Sequence, residues 1–221
     1  MNKKNYINLA NKAANLQIKE LKKIKKVFNK SFIKAVDLIL NCKGKVIFAG
    51  VGKSGLIARK ISATFSSVGI PSFFCDPAQA LHGDMGQIEK KDLLIIFSYS
   101  GNTSELSNML KYANRFRIKI IGVASNKNSI LLKASDIKIV LPKVKEADMI
   151  GMVPTSSTSI SLLLGDCLAT TVMQQKKFSK DKFKVFHPGG NIGKSLLLAK
   201  DIMVTGNKIP SIDQNKTFQE A

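Results

Sequence analysis

The chain has 221 residues, 44% of them apolar and 23% charged, enough for one substantial core plus a small appendage. No apolar run approaches the roughly 18 residues of a membrane span, and the basic start at Met1–Tyr6 is not followed by the apolar stretch of a secretory signal. The net charge of +20 comes from 35 basic and 15 acidic residues. The arginines are Arg59, Arg115 and Arg117 alone, and there is no tryptophan, a composition poor in base-reading forks and stacking platforms. The charge therefore reads as a lysine-rich solvated surface that draws in an anionic metabolite, with no nucleic acid or membrane as partner. Cys42, Cys75 and Cys167 have no metal-ligand spacing and do not form a disulfide framework, which points to the cytoplasm.

In chain order, residues 5 to 28 predict a helix, with Ala14, Ile18, Leu21, Ile24 and Phe28 recurring at spacings of three and four. A second helix is expected from Ser31 to Leu40. Strands are expected at Lys45–Ala49, Pro71–Cys75, Leu93–Phe97, Lys119–Ala124 and Ile137–Leu141. Helical patterns lie between or after them at Ser54–Ser67, 103–115, Ile130–Ala134 and Thr158–Gln174. Short apolar strands, each bounded by helices, predict an α/β fold, a three-layer αβα sandwich on a five-stranded parallel sheet. From Asp201 the sequence changes character and reads as a cap and strand followed by the start of another helix.

Three loops stand where such a sheet would put a ligand. They read Gly50-Val51-Gly52-Lys53-Ser54-Gly55, Ser98-Tyr99-Ser100-Gly101-Asn102-Thr103 and Pro154-Thr155-Ser156-Ser157-Thr158-Ser159. Backbone N–H groups and hydroxyls at helix starts suit a phosphate. The first loop is not a Walker loop, because Ile47 occupies the place of its first glycine. It does fit Gly-x-Gly-x-x-Gly, with Asp76 where a dinucleotide domain keeps its acidic residue, but such a domain does not ask for the two hydroxyl loops. Helix capping is the competing reading of each hydroxyl cluster.

Lys53, between two loop glycines, is a candidate cation for a phosphate or a developing oxyanion. The histidines, His82 and His187, both stand in glycine-rich contexts that suit chemistry. Glu105 opens the helix after the second loop, and Glu146 lies just ahead of the third. Two carboxylates and a histidine around a sugar phosphate suit proton abstraction next to a carbonyl. No tetrahedral metal set is legible.

Together, Gly52-Lys53-Ser54-Gly55, His82-Gly83-Asp84, Ser98-x-Ser100-Gly101, Lys145-Glu146-Ala147, Pro154-Thr155-Ser156-Ser157-Thr158 and His187-Pro188-Gly189-Gly190 resemble the D-arabinose 5-phosphate isomerase family, within the broader sugar isomerase (SIS) domain. The resemblance implies a flavodoxin-like SIS domain over residues 1–200. It also implies that residues 201–221 are the start of a truncated or vestigial CBS domain. The activity implied is the interconversion of D-ribulose 5-phosphate and D-arabinose 5-phosphate for 3-deoxy-D-manno-octulosonate and lipopolysaccharide synthesis. The resemblance further implies that it works without a cofactor, in a homotetramer with active sites at subunit contacts. Lys53, Glu105, Glu146 and His187 match the family's catalytic positions. Gly52, Ser54, His82, Ser98, Ser100, Thr103, Thr155 and Ser156 are the expected substrate-binding residues. Leu56, Asp76 and Gln79 depart from the family's usual histidine, histidine and glutamate.

Overall fold

The computed structural model describes residues 4–187, 197–217 and 219. The chain divides into two compact units, Met1–Phe178 and Ser179–Ala221. The first opens with α1 (Lys4–Leu21), a 3-10 turn at Lys22–Val27 and α2 (Lys30–Leu40). It continues through β1 (Val46–Gly50), α3 (Gly52–Ser67), β2 (Ser72–Cys75), two 3-10 turns over Gln79–His82 and Asp84–Gln87, and β3 (Leu93–Phe97). It ends with α4 (Leu106–Phe116), β4 (Lys119–Ala124), α5 (Ile130–Ala134), β5 (Ile137–Val140) and α6 (Ser156–Gln175).

The sheet is parallel throughout, in the order β2-β1-β3-β4-β5. β1 and β3 are buried along their whole length, as central strands covered on both faces must be. Val46, Phe48, Leu93, Ile95, Phe97 and Val123 turn to a core shared with α2, α3 and α6. Ile47, Ala49, Leu94, Ile96 and Ile120 turn the other way, against α4, α5 and the turns after β2. This is the expected three-layer αβα sandwich. β1 sends its chain to β2 on one side while β3 sends its chain to β4 on the other. The carboxyl ends of β1 and β3 therefore mark the switch point at which ligands bind in open α/β sheets.

Local chemistry brings the loops close. A Cβ on Gly55 would come within 2.6 Å of the Gly50 carbonyl oxygen, so only glycine lets α3 start directly against the end of β1. In the second loop Gly101 has φ +72° and packs on Ser129, where a Cβ would meet Oγ at 2.2 Å. Its carbonyl accepts from Leu131 N, and Asn102 Oδ1 accepts from Ile130 N. The loop is thus pinned to the start of α5.

Two expectations for the first unit need correction. The helix over 5–28 ends at Leu21 and tightens into the 3-10 turn, and its expected apolar face is only partly the buried one. Ile18 is 55% exposed, whereas Glu20 is 3% exposed. Hydrophobic spacing could not show that a carboxylate would find partners far along the chain. The helix expected from 103 begins at Leu106, because Leu106 and Ser107 first make turn bonds back to Thr103 and Ser104.

The second unit holds α7 (Lys180–Phe186), capped by Ser179, and α8 (Ala199–Ile202). The strand expected after Asp201 does not form among the described residues. Ile202, Met203 and Val204 are exposed, with no ladder partner to satisfy an extended backbone.

Candidate functional site

The three loops and the segment following β5 enclose a cleft of about 480 Å³ at the carboxyl edge of the sheet, a size suited to a small metabolite. From the first loop it is lined by Lys53 and Ser54, and from the second by Ser98, Tyr99, Ser100 and Thr103. Glu146 closes it from the strap after β5, with Ser157 and Thr158 at the start of α6.

The hydroxyls of the second loop have two tasks. Ser98 Oγ accepts from Gly101 N at 3.1 Å and lies 2.9 Å from Thr103 Oγ1. Ser100 Oγ accepts from Asn102 N at 3.3 Å. These bonds shape the loop, as the capping reading expects, and the same side chains still face the cleft. Accepting from a backbone N–H leaves the Ser100 O–H able to donate to an anion.

Glu146 is anchored more firmly than a solvated charge. Its Oε2 accepts from Thr155 N at 2.8 Å, Thr155 Oγ1 at 3.0 Å and Ser157 N at 3.2 Å. Two of these donors are backbone groups at the start of a 20-residue helix, where a negative charge is favoured. Burial pushes the carboxyl's pKa up, but the hydrogen bonds from Ser157 and Thr155 outweigh it and hold it below the usual carboxylate value. Thr155 Oγ1 in turn accepts from Ala147 N at 2.8 Å, closing the strap on the helix start.

Tyr99 was not singled out by sequence reasoning. It lay inside Ser98-x-Ser100 and looked like a spacer. Its phenol oxygen accepts from Val144 N at 2.8 Å and donates to Pro142 O at 3.2 Å, tying the second loop to the strap that carries Glu146. Burial pushes the phenol's pKa up, so it remains a donor. Only a contact map could reveal a bond across some 45 residues.

The remaining expected site residues stand elsewhere. Thr155 serves the cleft through Glu146. Ser156 is fully buried and off the cleft wall, and its Oγ meets no hydrogen-bond partner among the described residues. Gly52 lies with Lys53, Arg59, Phe74 and Asp76 on a neighbouring hollow of about 460 Å³. There the Arg59 guanidinium sits 4.8 Å from the Phe74 ring centroid, and Asp76 accepts from Ala78 N.

Glu105 is exposed ahead of α4 and does not line the cleft of its own chain. Its backbone N–H and the Ser104 hydroxyl hold its carboxyl below the ordinary value. His82 is exposed at the end of its 3-10 turn. His187 follows α7 in the second unit, stacked on Phe183 with ring centroids 3.8 Å apart and Nδ1 2.9 Å from Phe183 O. The Pro188-Gly189-Gly190 segment lies outside the described residues. Among the described residues, no three histidine, cysteine, aspartate or glutamate side chains gather closely enough to hold a metal ion. No described helix is long and apolar enough to cross a membrane.

The family model of the SIS domain matches residues 39–171. The chain belongs to the SIS domain family. The match includes every cleft residue named above, from Lys53 to Thr158. An uncharacterized protein of Rickettsia prowazekii, RP505, is 41% identical over 220 residues, covering the whole chain and 69% of the relative. The arabinose 5-phosphate isomerase KdsD of Escherichia coli K12 is 38% identical over 202 residues, covering 91% of this chain and 62% of that protein. The SIS chain thus spans between three fifths and seven tenths of the length of these curated relatives. A solved structure of E. coli CFT073 c3406 in complex with arabinose 5-phosphate superposes with a TM-score of 0.82 at 34% identity, covering 85% of this chain and all of that one.

Proposed function

We propose that this SIS domain is an aldose–ketose isomerase interconverting D-ribulose 5-phosphate and D-arabinose 5-phosphate. The observation that carries the reading is the joint placement of Lys53 and Glu146 on one cleft whose remaining wall is hydroxyl-rich. The likeness to KdsD and to the solved arabinose 5-phosphate complex supports the substrate.

The phosphate rests on Ser54, Ser98, Ser100, Thr103 and the start of α6; the steps start from the aldose, and ribulose 5-phosphate is converted by the same steps in reverse. The Glu146 carboxylate takes the proton from C2 of the open-chain aldose, and the electron pair forms the C1–C2 double bond of a cis-enediol. Lys53 stabilises the charge developing on the carbonyl oxygen. The same carboxyl returns the proton to C1 as the C2 hydroxyl becomes the ketone. His187 assists ring opening or carries a hydroxyl proton. Of the two glutamates, the cleft position favours Glu146 as the base. Exposed Glu105 and His82 fit a homotetramer whose active sites lie at subunit contacts. We further place the reaction in the cytoplasm, supplying 3-deoxy-D-manno-octulosonate for lipopolysaccharide, and read residues from 201 as the opening of a CBS domain.

The test is incubation with pentose, hexose and heptose phosphates in deuterated water, followed by NMR. Ribulose 5-phosphate should convert, with deuterium appearing at C2 of the aldose. Binding without turnover would make the chain a phosphosugar sensor, and turnover confined to a hexose or heptose phosphate would overturn the pentose assignment.

A further inference from the structure

Helix α1 lies outside the matched family segment, and among its described residues Glu20 is the one buried charge. Glu20 Oε2 accepts from the backbone N–H of Lys145, the residue before Glu146, at 3.0 Å. The same oxygen lies 2.5 Å from Lys23 Nζ, and that ammonium also donates to Lys143 O at 3.2 Å. The strap from Pro142 to Lys145 is therefore gripped from two sides. The α1 carboxylate and the Lys23 ammonium hold Lys145 and Lys143, while Tyr99 holds Pro142 and Val144. A further α1 bond, Ser159 Oγ to Gln17 Oε1 at 3.1 Å, reaches the helix whose start caps Glu146.

We propose that Glu20 is a positioning residue for Glu146: with Lys23 it clamps the strap through the Lys145 N–H and so fixes where the Glu146 carboxylate stands in the cleft. The catalytic consequence rests on Glu146 being the proton-moving group; the positioning does not. An ion pair with its carboxylate buried is a poor way to gain stability, since desolvation offsets much of the attraction. It is a good way to fix a backbone group, because a carboxylate facing a peptide N–H tolerates little displacement. An active-site carboxylate needs that precision, as a shift of about 1 Å can reduce a rate on the order of 100-fold.

The experiment compares wild type with Glu20→Gln and Glu20→Leu. Gln keeps an oxygen acceptor for the Lys145 N–H, whereas Leu keeps packing and removes the clamp. The readouts are the titration of the Glu146 side-chain carboxyl by 13C NMR, assigned by its loss in Glu146→Gln, and kcat against KM. Other titratable groups near Glu146 are Lys53 and Tyr99 on the cleft wall, Asp148 two residues on, and Lys23 behind the strap. None of them is altered in these two variants.

In Glu20→Leu the strap loosens, the Thr155 and Ser157 bonds weaken, and the Glu146 midpoint rises toward 4.5, its ordinary value. In the same variant kcat falls about ten-fold or more while KM stays within about three-fold, and Glu20→Gln restores both readouts. A midpoint unmoved in Glu20→Leu overturns the proposal, and a moved midpoint with unchanged kcat overturns its catalytic consequence. Should Glu20→Leu not fold, Glu20→Ala removes the same clamp with less bulk and leaves those groups in place, and the same two readouts decide. If the wild type turns over no sugar phosphate, the functional reading fails while the NMR titration still decides the positioning.

Discussion

Replacing Glu146 separates its structural task from its chemical one. The carboxylate accepts three hydrogen bonds at the start of α6, two of them from backbone N–H groups. Glu146→Ala removes a cap of that kind, worth about 1–2 kcal/mol. For a chain of this size each kcal/mol moves the Tm by roughly 2–4 °C. Glu146→Gln keeps a carbonyl oxygen for the same donors and loses only the charge assistance, about 0.5–1 kcal/mol. Its chemical loss is of another size. An amide cannot take a proton from carbon, and a missing general base lowers kcat by about 10²–10⁴, or ~3–5 kcal/mol of barrier.

The pair is therefore expected to be graded in stability, Ala below Gln, and alike in lacking activity. Calorimetry reads the first and NMR-followed isomerisation the second. Because hydrogen bonds hold the carboxyl below its ordinary value of 4.5, its contribution to folding is present above that pH and is lost as pH falls through the lowered value. The wild type should accordingly lose part of its lead over Glu146→Gln as the pH falls below 4.5. A Gln variant with more than about a tenth of wild-type kcat would refute the assignment of Glu146 as base.

Gly101→Ala forces a left-handed residue and drives a Cβ to 2.2 Å from Ser129 Oγ. It should cost about 2–5 kcal/mol and raise KM through the displaced loop, whereas Gly86→Ala, with open space around its Cβ, should leave both unchanged; steady-state kinetics and thermal melts check the contrast. Tyr99→Phe leaves the Val144 N–H without its acceptor and should lower stability by about 1–3 kcal/mol, read by urea titration. The Cys75 thiol is pushed up to about 11, chiefly by burial and then by Asp84 and Asp76. At pH 8 it should alkylate about 100-fold more slowly than a thiol at the ordinary 9.0, by mass-mapped iodoacetamide labelling in the folded protein.

Strand and helix identities were legible because each of the five strands is a short apolar run set between helical patterns. Leu93–Phe97, Lys119–Ala124 and Ile130–Ala134 match residue for residue. The loops were legible because glycine and hydroxyl residues at helix starts have few uses other than turning, capping or holding an anion. Membership of the cleft was not. Ser98 and Ser156 look equivalent in sequence, yet one faces the cleft and the other is buried away from it. Glu105 and Glu146 look equally able to serve, yet only Glu146 lines the cleft.

The sequence by itself determined the α/β alternation, the parallel sheet and the residue types of a phosphate grip, since local periodicity and turn chemistry are enough for these. The tertiary structure alone decided which of those residues share a space and what holds them there. Tyr99 acts on a strap about 45 residues away, and Glu20 reaches a peptide N–H 125 residues on. Bonds of such span depend on how the helices dock on the sheet. No local pattern of apolar and polar residues encodes them, which is why a buried glutamate on α1 stood unnoticed between the lysines of what looked like an ordinary solvated face.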